Sequence, residues 1–265
     1  VTDVENAPLR RDRTRPSTRR PRRRTSVLGV IGELFITVGL IALLYVAWQM
    51  WIGDLIYGAE ASTEAQNLSE QWQQDYEESS PVSPSPSETA EAPVTTVDPV
   101  VLPIAADAET FGTIYVPRFG SDYAYEVAGG VTRARTLDTV RVGHYSDTPM
   151  PGAVGNVSLA GHRTTYGAPF NQIADLHVGD AIVIEVPEGW YTYRFRTLEY
   201  VTPDSSDVLL PVPQQEGVEA NGRYLTMTSC SPMYNLTERI IAYSVFESFT
   251  PRSAGAPASL TEGIS

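Results

Sequence analysis

The chain has 265 residues, a net charge of -13 from 19 basic and 32 acidic side chains, and a single cysteine. One cysteine excludes an internal disulfide and a thiolate metal cluster. The charge is unevenly spread: nine arginines crowd residues 1–26, whereas from residue 53 onward ten arginines face 28 acidic residues, a balance near -18. A surface of that sign repels a polyanion, which excludes nucleic acid as a partner.

In chain order, the basic arm (1–26) leads into an apolar stretch, residues 27–52, interrupted by Glu33 and Gln49. At about 1.5 Å per residue this stretch crosses a hydrocarbon core about 30 Å thick. Trp48, Trp51 and Tyr57 gather at its far end as an interfacial belt. A cleaved signal peptide fits less well, because the run is long and lacks a small-x-small site. A buried core helix also fits less well, because apolar residues cover every helical face. The expectation is a single-pass anchor in the cell membrane, with the arm cytoplasmic and everything after residue 53 outside the cell. Glu33 falls about one and a half turns in, within reach of headgroups.

Residues 53–107 read as an extracellular stalk. The first part, through Gln71-Trp72-Gln73-Gln74, is polar with modest helical propensity, and Ser80-Pro81-Val82-Ser83-Pro84-Ser85-Pro86 opens a Pro/Ser-rich tract. Such a tract buries too little apolar surface to offset its ordering entropy.

Residues 108–249 are long enough for one core. Strands are predicted at 111–116, 156–160, 181–186, 190–195, 224–228 and 240–246, each β-branched or aromatic and bounded by Gly, Pro, Asp or Asn. Pro187-Glu188-Gly189 reads as a tight turn, and the only helical candidate runs from Pro169 to Leu176. The pattern is all-β, either a closed barrel or a sandwich. Residues 250–265 read as a mobile tail.

A free thiol on a chain facing the outside of the cell needs a purpose, and nucleophilic catalysis supplies one. Cys230 attacks as thiolate and needs an imidazole as base, cationic partner or acid toward a leaving amine. His162, after the apolar run Val157 to Ala160, is the candidate at a barrel rim. Arg239 opens a strand and offers a fork of donors to a carbonyl or oxyanion. Each has a plainer reading: a buried thiol, a surface imidazole, an arginine paired with Glu238 or Glu199. Their combination carries the argument.

Thr226-Met227-Thr228-Ser229-Cys230 resembles the sortase signature, His162 in Ala160-Gly161-His162 resembles the sortase histidine, and Arg239 the third member of the triad. Gly143-His144-Tyr145, Met150-Pro151-Gly152, residues 161–170 and residues 208–213 are similar to actinobacterial class E sortases. Met227 and Ser229 depart mildly from the pattern. The resemblance implies an eight-stranded sortase barrel with short helices, and a transpeptidase needing no cofactor, with calcium dependence open. Cys230 would attack the Thr-Gly bond of a C-terminal sorting signal, of the Leu-Ala-x-Thr-Gly kind in class E. Arg239 would hold the carbonyl oxygen and His162 would protonate the leaving amine. The implied partners are secreted proteins bearing the signal, an amine of a lipid-linked peptidoglycan precursor, and the membrane.

Tyr145 resembles a tyrosine that class E enzymes use in reading the signal; it equally fits a residue packed on the barrel. Thr228 and Ser229 are candidates for the groove wall, although strand alternation lets only one face it. His144 is a rival for the catalytic imidazole, and His177 reads as a surface-loop residue. A papain-like thiol enzyme would place its histidine after the cysteine, and none follows Cys230. A pilin-polymerising sortase and a barrel that binds without turnover are the remaining alternatives.

Overall fold

The computed structural model describes residues 26–48, 53–79 and 97–263. The basic arm, the end of the apolar stretch at 49–52 and the Pro/Ser-rich tract therefore lie outside the described residues. The chain divides into two units, with the boundary between Val46 and Ala47.

The first unit holds all but the last residue of helix α1, Val27–Ala47, whose 21 residues are long and apolar enough to cross a membrane. In its second turn the Thr37 hydroxyl donates to the Glu33 carbonyl (2.8 Å).

The second unit is a closed barrel of eight strands: β1 (Thr110–Tyr115), β2 (Ala124–Gly129), β3 (Val142–His144), β4 (Gly155–Ala160), β5 (Ala181–Val186), β6 (Gly189–Val201), β7 (Arg223–Ser231) and β8 (Glu238–Pro251). They follow the order β1-β2-β3-β4-β7-β8-β6-β5, with β5 returning to β1. Neighbours are antiparallel except β2–β3 and β4–β7. Alternation sets the two faces: Val157, Leu159, Leu225, Met227, Ile240 and Ala242 fill the interior, while the residues between them point outward. The β5–β6 hairpin turns at Pro187-Glu188. Gly189 follows with φ +151°, and a Cβ there would lie 2.2 Å from the Thr250 carbonyl oxygen.

Two predicted segments differ. Residues 53–79, expected as stalk, form helix α2 (Gly53–Ser79), which packs on the barrel. Its contact face is a stripe of small residues, Gly58, Ala61, Ser62 and Ala65, that lets the backbone come close. The Ser62 hydroxyl donates to the Asp122 carbonyl, and a Cβ on Gly58 would stand 2.9 Å from the Tyr125 hydroxyl. A face built from Gly, Ala and Ser carries almost no apolar periodicity, so the sequence reads as polar.

The tail expected to be mobile is docked. β8 runs to Pro251, and Arg252 is buried, donating to Glu185 (2.8 Å), the Val186 carbonyl (2.7 Å) and the Pro187 carbonyl (2.7 Å). Ser259 is buried against Thr192 (2.9 Å). This covering explains why all six residues of β5 are buried. The helical candidate at 169–176 is reduced to a 3₁₀ turn, Ile173–Asp175.

Candidate active site

The β7–β8 ladder pairs Thr228 with Ile241, Ser229 with Ile240 and Cys230 with Arg239. Directly opposed residues project to the same face with Cβ atoms about 4.5–5.5 Å apart. Thr228, Cys230, Arg239 and Ile241 therefore share the outer face, while Ser229 and Ile240 share the inner one. Ser229 is buried and its hydroxyl donates to the Gly161 carbonyl (2.8 Å). That places it away from the groove and corrects its expected role as a wall residue; its hydroxyl fastens the chain just before His162.

β4 runs parallel to β7 with Ala160 level with Thr228. Pairing continues one step further, since the Gly161 amide donates to the Thr228 carbonyl (3.1 Å). His162 follows directly, at the end of β4 that lies beside the Cys230 end of β7. The thiol is free and half-buried. Gly161 is required here because a Cβ would stand 2.7 Å from the Phe170 ring.

Beyond His162 the chain turns through four residues of positive φ, Thr165 to Ala168, and returns with the Phe170 amide donating to the His162 carbonyl (3.0 Å). Arg163 and Asn171 exchange side-chain-to-carbonyl hydrogen bonds across this loop (3.0 and 3.1 Å). Tyr166 stacks on the His162 ring, centroids 5.1 Å apart at 27°. His162 Nε2 lies 2.8 Å from Asp138 Oδ1, and Asp138 also accepts from Arg133 Nε (3.3 Å). Nothing in the sequence pointed to Asp138, which sits 24 residues upstream in a 3₁₀ turn, Leu137–Thr139.

Arg239 Nη1 donates to the carbonyls of Leu236 (3.2 Å) and Glu238 (2.8 Å). Among the described residues it forms no ion pair, so neither Glu238 nor Glu199 neutralises it. It lines a pocket of about 160 Å³ with Tyr145, Thr228, Ile241 and the β6–β7 connection from Pro203 to Leu209. The Tyr145 hydroxyl meets the Thr228 hydroxyl at 3.0 Å across this pocket. The wall is anchored from beneath: buried Asn156 on β4 donates to the carbonyls of Val208 (3.0 Å) and Leu210 (3.1 Å) and accepts from Thr226 (2.8 Å). Asn156 escaped sequence reading because it lies inside an apolar strand.

A larger cavity of about 640 Å³ lies between α2 and the loop at 167–172, but it contains none of the predicted site residues. The guanidinium of Arg239, directly opposite Cys230 in the ladder, and the hydroxyls of Tyr145 and Thr228 decide for the smaller pocket.

His144 is fully buried against the edge of Phe111. Its Nε2 donates to the Pro149 carbonyl (3.0 Å), while Nδ1 has no partner among the described residues. Burial holds its imidazole below the ordinary histidine range, against the opposing effect of the Pro149 bond. It takes no place on the groove face. The exposed His177 sits in a turn closed by its amide on Asp180 (2.8 Å). Among the described residues no group of three His, Cys, Asp or Glu side chains is arranged to hold a metal ion.

Comparison with known proteins agrees with this geometry. The sortase domain family matches residues 114–247. The chain is 34% identical over 262 residues to Sortase SrtE1 of Streptomyces coelicolor, covering 96% of this chain and 67% of that protein. It is 29% identical over 233 residues to Sortase SrtE2 of the same organism, covering 85% and 84%. Among solved structures, the SrtA sortase from Actinomyces oris superposes with a TM-score of 0.58 at 32% identity, covering 61% of this chain and 93% of that one. Sortase E1 from Streptomyces coelicolor, solved with a tripeptide in its active site, gives 0.55 at 35% identity, covering 59% and 99%. An eight-stranded barrel with its single thiol beside an unneutralised arginine, matched along most of its length to class E enzymes, belongs to the sortase family of cysteine transpeptidases.

Proposed function

We propose that Cys230, His162 and Arg239 carry out transpeptidation on a C-terminal sorting signal of the Leu-Ala-x-Thr-Gly kind. The carrying observation is the β7–β8 register, which sets the thiol and guanidinium opposite each other on one face. The Cys230 thiolate attacks the Thr carbonyl carbon while Arg239, whose donors no carboxylate among the described residues occupies, steadies the oxygen. The C–N bond to Gly breaks and the His162 imidazolium gives its proton to the departing amine. A second amine, from a peptidoglycan precursor, attacks the thioester, returns a proton to the imidazole and frees the thiol. Tyr145 and Thr228 line the pocket beside the reacting carbonyl and read the signal.

Helix α1 supports a single-pass anchor with the basic arm cytoplasmic and the barrel outside. Signal and acceptor are both membrane-linked in this reading, so anchoring the enzyme raises their effective concentration. The test is an endpoint reaction of the full chain in detergent with Leu-Ala-x-Thr-Gly and Leu-Pro-x-Thr-Gly peptides and an amine acceptor, read by mass spectrometry. Cleavage after Thr with amide formation, abolished by Cys230→Ala, is expected. Turnover that survives Cys230→Ala, or none with either peptide, refutes the proposal.

A further inference from the structure

We propose that Asp138 is a positioning residue for His162. It fixes the ring so that Nε2–H points at the carboxylate and Nδ1 serves the groove. The inference rests on the catalytic role given to His162 above. An imidazole has two nitrogens, and which one is free is set by the bond the other makes. Asp138 Oδ1 stands 2.8 Å from Nε2, and an ionised carboxylate can only accept, so Nε2 carries the hydrogen.

Three further features hold the arrangement. Arg133 Nε donates to the same Oδ1 (3.3 Å). Asp138 sits in a short 3₁₀ turn closed by Val140 in the left-handed region (φ +65°). Tyr166 stacks on the ring from the other loop, so rotation about the Cβ–Cγ bond is opposed on its face as well as at its tip. The His162 side chain is only 14% exposed, which keeps water from competing for Nε2.

The proton path follows. The thiol proton of Cys230 passes to Nδ1, and from Nδ1 to the departing amine nitrogen. The Nε2 hydrogen stays with the ring throughout, and Asp138 takes up no proton. Without Asp138 the ring is free to flip and to change tautomer, and the fraction of molecules presenting a usable Nδ1 falls. Outer partners of this kind typically set about 10- to 100-fold of activity.

The test uses the full chain in detergent with ¹⁵N-histidine, which labels three rings, the His162 signals being assigned by their loss in His162→Ala. Long-range ¹H–¹⁵N spectra are expected to show neutral His162 as the Nε2–H tautomer. Asp138→Ala should turn this into a mixture, while Asp138→Asn, whose carbonyl oxygen still accepts, retains it. In the peptide assay Asp138→Ala is expected to lower kcat about 10- to 100-fold with KM within about twofold, and Asp138→Asn to recover most of that loss. Asp138→Ser is a second loss variant should alanine fail to fold.

A wild-type ring in the Nδ1–H form, or a tautomer unmoved by loss of Asp138, overturns the inference. So does a kcat within about twofold of wild type in the loss variants. If the wild type shows no Cys230-dependent turnover, the transpeptidase reading fails instead, and the spectra still decide the Asp138 contact.

Discussion

Arg252→Met tests whether the docked C-terminal segment holds the barrel together. The Arg252 and Glu185 side chains are 2% and 1% exposed and meet at 2.8 Å. The guanidinium also lies 4.6 Å over the Trp190 ring. Removing the arginine leaves Glu185 buried, among the described residues, with only the hydroxyls of Tyr115 (2.7 Å) and Ser69 (2.9 Å). Breaking a buried pair from one side costs about 3–5 kcal/mol. In a unit of this size each kcal/mol lowers Tm by about 2–4 °C, so a fall of roughly 6–20 °C is expected. The assay is denaturant and thermal unfolding of the full chain in detergent, followed by fluorescence with Trp190 as the local reporter. Replacing both partners, Glu185→Leu with Arg252→Met, should recover most of the loss, because no unpaired charge remains. A loss below about 1 kcal/mol for Arg252→Met, the size of an exposed pair, would refute the reasoning and restore the mobile tail.

His144 gives a pH prediction. Burial depresses its folded pKa below the unfolded value near 6.5, so below that pH the unfolded state binds the extra proton and stability falls with acidity. The slope from one such group reaches at most about 1.4 kcal/mol per pH unit. Unfolding free energies measured from pH 7.5 to 5 should fall less steeply in His144→Gln than in wild type, and parallel curves would sink the idea. The two hydroxyls just before Cys230 should separate cleanly. Thr228→Val, which removes the Tyr145 contact, should raise KM for the peptide several-fold with Tm little changed. Ser229→Ala, which leaves the Gly161 carbonyl buried without its donor, should cost about 1–3 kcal/mol of stability; the reverse pattern would mean the strand faces are misassigned.

The strands with β-branched and aromatic residues were legible because burial on a pleated face demands them. β2 and β3 were not: Ala124-Tyr125-Glu126-Val127-Ala128-Gly129 is rich in small residues, and Val142-Gly143-His144 is only three residues long. The thiol, imidazole and guanidinium were readable from chemistry and motif, and strand alternation already limited Thr228 and Ser229 to one groove position. What remained hidden depends on contacts distant in sequence: Asp138 on His162, Asn156 beneath the β6–β7 connection, and Arg252 on Glu185. None of these follows a local period. The helical propensity of α2 was legible but its packing was not, for a related reason, since Gly58, Ala61, Ser62 and Ala65 pack by being small rather than apolar.

Because β5 returns to β1, every strand of the barrel has a partner on both sides. Along the paired residues, a peptide lying across it finds no free row of amides and carbonyls to extend as an added strand. For the proposed peptide substrate, recognition would then rest on side chains and connecting loops acting on a few positions near the cut. Under the proposed function, an enzyme built this way would accept a short tag on otherwise unrelated proteins.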